Sequence, residues 1–181
     1  FSLGASFTLR IATDRGSELG LTAAVAICPP VDPTGAMDAM GKTLVIYEKY
    51  FFHRWTTSLR KKLKHFPEHD FGAELSQAKT LDDLNITFIA KFTPYADAQS
   101  YFSAYTLTGD RLKALSIPAH LIASSDDPII PAADLGKINC PEQLSIEVQQ
   151  YGGHCGFIQN LAAHSWIETK LVQLFEAHLA K

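Results

Sequence analysis

Two spacings of apolar residues alternate along this chain. Leu21-Thr22-Ala23-Ala24-Val25-Ala26-Ile27-Cys28 is a short uncharged run closed by Pro29-Pro30. It reads as a strand buried on both faces, although a buried helical turn has the same pattern. Ala119-His120-Leu121-Ile122-Ala123, opening after Pro118, and Leu144-Ser145-Ile146-Glu147-Val148 predict two further strands. Elsewhere the spacing lengthens to that of helices. Leu3 to about Asp14 reads as a helix stopped by Gly16. Residues 35–66 read as a long helix whose stripe is Leu44, Tyr47, Phe51, Trp55, Leu59 and Leu63, ended by Pro67. Thr80-Leu81-Asp82-Asp83 starts another, since Thr80 can cap it and the aspartates suit the positive end of its dipole. An aromatic-rich helix with Tyr95, Tyr101, Phe102 and Tyr105 follows Thr93-Pro94. Trp166, Ile167, Leu171, Leu174, Phe175 and Leu179 mark an amphipathic closing helix.

Strands alternating with helices predict an α/β fold with a parallel sheet flanked by helices. Only about three strands are legible, so the expected sheet is part of a larger pattern. The helical stretch 34–112 reads as an insertion that separates residues 1–33 from 113–181.

Composition narrows the function classes. The chain has 181 residues, 46% hydrophobic and 19% charged, which suits a single packed domain. A net charge of −3 supplies no basic footprint, so nucleic-acid binding is not expected. Cys28, Cys140 and Cys155 are odd in number and lack metal-ligand spacing, so neither a disulfide framework nor a zinc site is expected. A reducing compartment, the cytoplasm, fits that usage. No apolar run approaches the ~18 residues that span a bilayer. The N-terminus has neither the flank of a signal peptide nor an initiator Met and opens inside a motif. It reads as a fragment or processed product, whose partners are a missing N-terminal half or a second copy at an open sheet edge.

That motif is Phe1-Ser2-Leu3-Gly4, a G-x-S-x-G nucleophile elbow without its first glycine. Taken alone, S-x-G reads more readily as an ordinary helix cap. Two further pieces follow, each after a predicted strand: Ser124-Ser125-Asp126-Asp127-Pro128-Ile129-Ile130-Pro131, then Gly152-Gly153-His154-Cys155-Gly156-Phe157. Serine, acid and histidine in that order are the chain order of the α/β-hydrolase triad. Serine is a weak nucleophile unless a base lies within hydrogen-bond reach and a third group orients that base. Asp127 is the expected acid, with Asp126 its nearest competitor, and His154 is the expected base. Cys155 is set aside as a nucleophile, because neighbouring side chains diverge and Ser2 holds the elbow. Gly4 and Ala5 are the small residues expected where strand and helix approach closely.

The runs F-S-L-G-A-S-F-T-L-R-I-A, I-P-A-H-L-I-A-S-S-D-D-P-I-I-P and Y-G-G-H-C-G-F-I together resemble the YheT-like branch of the α/β-hydrolase fold, over the second half of that family's pattern. The resemblance implies Ser2 as nucleophile, Asp127 as acid, His154 as base and the Leu3 backbone N–H as one oxyanion donor. It implies a carboxylic-ester hydrolase acting on short- to medium-chain acyl esters or lipids, with no cofactor or metal. An acyltransferase, a thioesterase or a non-catalytic binding module shares these residues. The insertion lies where a lid would, and Tyr47, Phe51, Trp55 and Tyr101 are candidates for lining an acyl pocket. The cluster Arg60, Lys61, Lys62 and Lys64 reads as a solvated face.

Overall fold

The computed structural model describes residues 1–42 and 45–179. In chain order its elements are α1 (Ser2–Arg15), β1 (Ala24–Ile27), α2 (Pro33–Lys42), α3 (Val45–His65), α4 (Gly72–Gln77), α5 (Leu81–Phe92), α6 (Ala98–Tyr105), β2 (Ala119–Ser124), β3 (Leu144–Gln149) and α7 (Trp166–Leu179). They form two compact units, Phe1–Ala39 with Thr106–Lys181, and Met40–Tyr105.

The first unit is built on a parallel sheet in the order β1-β2-β3. Ala24 pairs with Ala119 and Ala119 with Leu144, so all three strands run in step toward one carboxyl edge. Side chains alternate between the two faces of such a sheet. Ala24, Ala26, Leu121, Ala123 and Leu144 join Ala5, Leu9 and Ala12 of α1 in one apolar cluster. Ile27 and Ile122 join Phe157 and Ile167 in a second, with Val25, Leu171 and Leu174 packed against it. Both faces are therefore covered by helix, the arrangement that parallel sheets need. On the α7 side the alternation also brings His120 to His178, with 2.8 Å between their Nε2 atoms, and Glu147 to Lys170.

Local signals explain the helix ends. Pro33 opens α2, where its missing N–H costs nothing, and the Asp32 carboxylate accepts from the Thr34 and Gly35 amides. Gly16 stops α1, but in right-handed conformation rather than the left-handed one usual for a glycine cap. It is needed for space, because a Cβ there would lie 2.3 Å from the Ala12 carbonyl oxygen.

The second unit is helical and centres on Phe71, which meets Phe88 and Phe92 edge-on at 5.1 and 5.7 Å. Leu75, Leu81, Leu84 and Ile89 are buried with it. Thr80 caps α5 reciprocally: its Oγ1 accepts from the Asp83 amide at 3.1 Å, while the Asp83 carboxylate accepts from the Thr80 amide at 2.9 Å.

Two stripes differ from their expected composition. In the stretch 35–66, Leu44 lies outside the described residues, and in α3 Thr56 is buried while its neighbour Trp55 is 43% exposed. Thr56 can be buried because its hydroxyl donates to the Phe52 carbonyl. In α7, Phe175 and Leu179 are exposed, and the half-buried His178 takes the position facing the sheet.

Candidate active site

Ser2, Asp127 and His154 converge at the carboxyl edge of the sheet within the first unit. Ser2 opens α1 with φ +49°, a conformation that ordinary side chains seldom adopt. Such strain costs roughly 1–3 kcal/mol and persists where the surroundings over-determine it. Here the turn presents Oγ to His154 Nε2 at 2.9 Å. The amide of Leu3 belongs to the first turn of α1, where no carbonyl four residues earlier exists within the helix to accept it. Ala5 is fully buried, as a close approach demands, whereas a Cβ on Gly4 would meet nothing within 4 Å. Among the described residues, packing therefore does not require glycine at that position.

The two aspartates after β2 divide the work. Asp127 accepts from the Ile129 and Ile130 amides at 2.8 and 2.9 Å through Oδ1, and its Oδ2 faces His154 Nδ1 at 2.8 Å. Its side chain is only 1% exposed and that of His154 19%. Asp126 instead accepts from the Gly152 and Gly153 amides at 2.9 and 2.8 Å, holding the loop that carries the histidine. Ser124 Oγ completes the brace by donating to the Gly153 carbonyl at 2.7 Å. Both glycines have a reason. Gly153 has φ +54°, and a Cβ on Gly152 would lie 2.6 Å from ring carbons of Phe157 and 2.9 Å from Ser124 Cβ.

Burial favours the neutral imidazole of His154, but its hydrogen bonds to Asp127 and to Cys155 outweigh that effect and raise its pKa to about 9. Cys155 does not diverge from His154 as adjacent residues were expected to do. Its φ of +69° turns it back, and Cys28 (φ +46°) comes up from the end of β1. The two sulfurs and one imidazole nitrogen all lie within 4.8 Å of one another. Cys155 is the thiol that ionises more readily, through its hydrogen bond from Cys28 and the neighbouring imidazole, while Cys28 is pushed up by that same hydrogen bond and by burial. No spacing signal announces this cluster, because the two cysteines stand far apart along the chain.

The four aromatic residues named as pocket candidates all belong to the helical unit. Tyr47 and Phe51 are half-buried and Trp55 is exposed. Tyr101 packs edge-on against Tyr95 at 5.5 Å and tilted against Tyr105 at 4.7 Å. Arg60, Lys61, Lys62 and Lys64 are exposed. A solvent-open depression of about 430 Å³ lined by Glu74, Lys79, Asp83 and Ile86 also lies in this unit, and none of Ser2, Asp127 and His154 borders it. Among the described residues no helix is long and apolar enough to cross a membrane.

A parallel sheet covered on both faces, with serine, carboxylate and imidazole in that chain order at its carboxyl edge, is the architecture of the α/β hydrolases. The chain has this fold and carries part of it. An α/β fold family hydrolase from Bacillus anthracis str. Sterne superposes with a TM-score of 0.54 and 15% identity, over 98% of this chain and 65% of that one. The Pyrococcus furiosus esterase Pf2001 superposes with a TM-score of 0.50 and 14% identity, over 98% and 51%. By sequence the chain is a homologue of YheT of Escherichia coli (strain K12), named as a candidate esterase, with 23% identity covering 99% of this chain and 54% of that protein. An abhydrolase domain-containing protein of Dictyostelium discoideum is also 23% identical, covering 99% and 46%. The chain thus spans about half the length of these curated relatives. No protein-family model matches it.

Proposed function

We propose that this chain carries the catalytic triad of a serine hydrolase that cleaves carboxylic esters of short- to medium-chain acyl groups. The observation behind this reading is the continuous relay from Ser2 Oγ through both nitrogens of His154 to Asp127, at 2.9 and 2.8 Å. The esterase names of YheT and Pf2001 support the substrate class.

In this reading Ser2 Oγ attacks the ester carbonyl while His154 Nε2 takes its proton, and Asp127 stabilises the imidazolium that forms. The tetrahedral oxyanion is received by the Leu3 amide at the start of α1, where the helix dipole also favours negative charge. His154 then protonates the departing alcohol, and water activated by the same ring releases the acid from Ser2. The ring accepts a proton only when neutral, and its neutral share grows as pH rises toward about 9.

The test is covalent labelling of the full chain with a fluorophosphonate. Labelling of the wild type is expected, with complete loss in Ser2→Ala. A folded wild-type chain that takes up no probe overturns the reading in favour of a non-catalytic binding module. Label retained in Ser2→Ala would assign the nucleophile elsewhere, with Cys155 the first residue to examine.

A further inference from the structure

We infer that Cys28, Cys155 and His154 form a soft-metal site that takes a zinc-like divalent cation and that its occupation blocks the base of the proposed triad. Cys28 follows β1 directly, and its amide donates to the Ile122 carbonyl at 2.7 Å, which fixes it to the sheet. It is fully buried. Cys155 stands in the braced loop after Gly152-Gly153, half-buried, and its amide donates to the Gly153 carbonyl at 3.1 Å. Both thiols are free, and their sulfurs and a ring nitrogen of His154 share a sphere in which no pair is more than 4.8 Å apart.

Three donors argue for a metal rather than a disulfide, which would use two. Thiolate and imidazole are the ligands zinc prefers, at about 2.3 and 2.0–2.1 Å, so in a tetrahedral site neighbouring donors stand roughly 3.5–3.8 Å apart. The cluster needs a contraction of at most about 1.3 Å to reach that spacing. Both cysteines hold left-handed backbone, φ +46° and +69°, a strain that bulkier secondary-structure positions avoid and that gathers at functional sites. The outer shell is also in place. His154 Nδ1 is engaged by Asp127, the carboxylate–histidine arrangement that orients zinc ligands, and Nε2 would exchange its contact with Ser2 Oγ for the metal.

Binding requires both sulfurs as thiolates and Nε2 without its proton; whatever protons these three donors carry are released to solvent, with no change of oxidation state. The metal then occupies the Nε2 lone pair that would otherwise receive the Ser2 proton. Water or Ser2 Oγ completes the fourth position.

The test titrates the full chain, reduced, with Co²⁺ and then Zn²⁺. One Co²⁺ per chain with a thiolate-to-cobalt charge-transfer band is expected, displaced by Zn²⁺, and Zn²⁺ should protect both thiols from alkylation. The Cys28→Ala/Cys155→Ser variant should lose the band. If that variant fails to fold, thiol protection in the wild type carries the test. Absence of the band in the wild type, its survival in the folded variant, or thiols that alkylate equally with and without Zn²⁺ would each overturn the inference. These readouts require no ester turnover, so they stand or fall separately from the hydrolase reading. If that reading holds, Zn²⁺ should also abolish fluorophosphonate labelling, with recovery on adding a chelator.

Discussion

The sheet edge and the helical unit are held by opposite means. At the edge, side-chain carboxylates grip backbone amides: Asp126 takes Gly152 and Gly153, and Asp127 takes Ile129 and Ile130. Positive φ angles cluster there, at Ser2, Cys28, Gly153, Cys155 and Phe157. In the helical unit, rings pack on rings around Phe71, and the polar anchors, such as the capping box and Lys91 to Glu74 and to the Asp70 carbonyl, lie at the surface. Hydrogen bonds that end on backbone fix position to a fraction of an ångström. Apolar packing supplies stability and tolerates adjustment. The comparison therefore predicts that small chemical changes at the edge alter chemistry, whereas large volume changes in the helical unit alter stability.

The largest effect should come from Asp127→Asn. An amide can still accept from the Ile129 and Ile130 amides, but it donates toward His154 Nδ1 and leaves the proton on Nε2, the wrong tautomer for the base of the proposed triad. Turnover of p-nitrophenyl acetate by the intact protein should fall about 10⁴-fold with little loss of stability. Asp126→Asn, one residue earlier, retains an acceptor for both glycine amides and should stay within about tenfold of wild type. Equal losses in the two variants would erase the division of labour between them.

Phe71→Ala should break the other region. Removing a ring that is 2% exposed and shared with Phe88 and Phe92 should cost about 3–5 kcal/mol in urea unfolding. A loss below about 1 kcal/mol would show that the rings are not the core of that unit. Next comes Gly152→Ala, where the added methyl must displace the Phe157 ring and the Ser124 side chain. Overpacking of this kind costs about 1–3 kcal/mol, and here it should also disturb the histidine loop. A fully active, fully stable Gly152→Ala would mean that the loop yields freely.

Much of the edge is legible in the sequence because its chemistry is local. The pair Asp126-Asp127 ahead of Pro128 and the run Gly152-Gly153-His154 each sit at the end of an apolar strand, and chain order relates them. The strands themselves are readable from short apolar runs at 119–123 and 144–148. What escapes is whatever depends on tertiary neighbours. Thr56 looks polar and is buried, because its own helix satisfies the hydroxyl. Trp55, Phe175 and Leu179 look like core and are exposed. Cys28 and Cys155 carry no spacing signal, because they meet only through the fold: the loop after β3 is braced on Ser124 and Asp126 at the end of the central strand β2, which brings Cys155 to the end of β1.

The smallest expected effect tests whether polar anchoring in the helical unit really is a surface matter. The backbone amides of Lys79 and Thr80 and the Thr80 hydroxyl hold the Asp83 carboxyl below its ordinary value of 3.8. Because the folded form ionises more readily than the unfolded one, the stability from this contact is complete above that ordinary value and declines as pH falls through the depressed one. Thr80→Ala should cost about 1 kcal/mol at neutral pH through loss of the cap. The pH signature belongs to Asp83→Ala. Its stability difference from wild type, read by urea unfolding, should hold steady from neutral to about pH 5 and narrow toward pH 3. A difference that stays constant into acid would mean that the ionised carboxylate contributes nothing beyond the shape of the turn. The capping carboxylate would then add little to the apolar packing of the helical unit, and the contrast with the sheet edge would be sharper still.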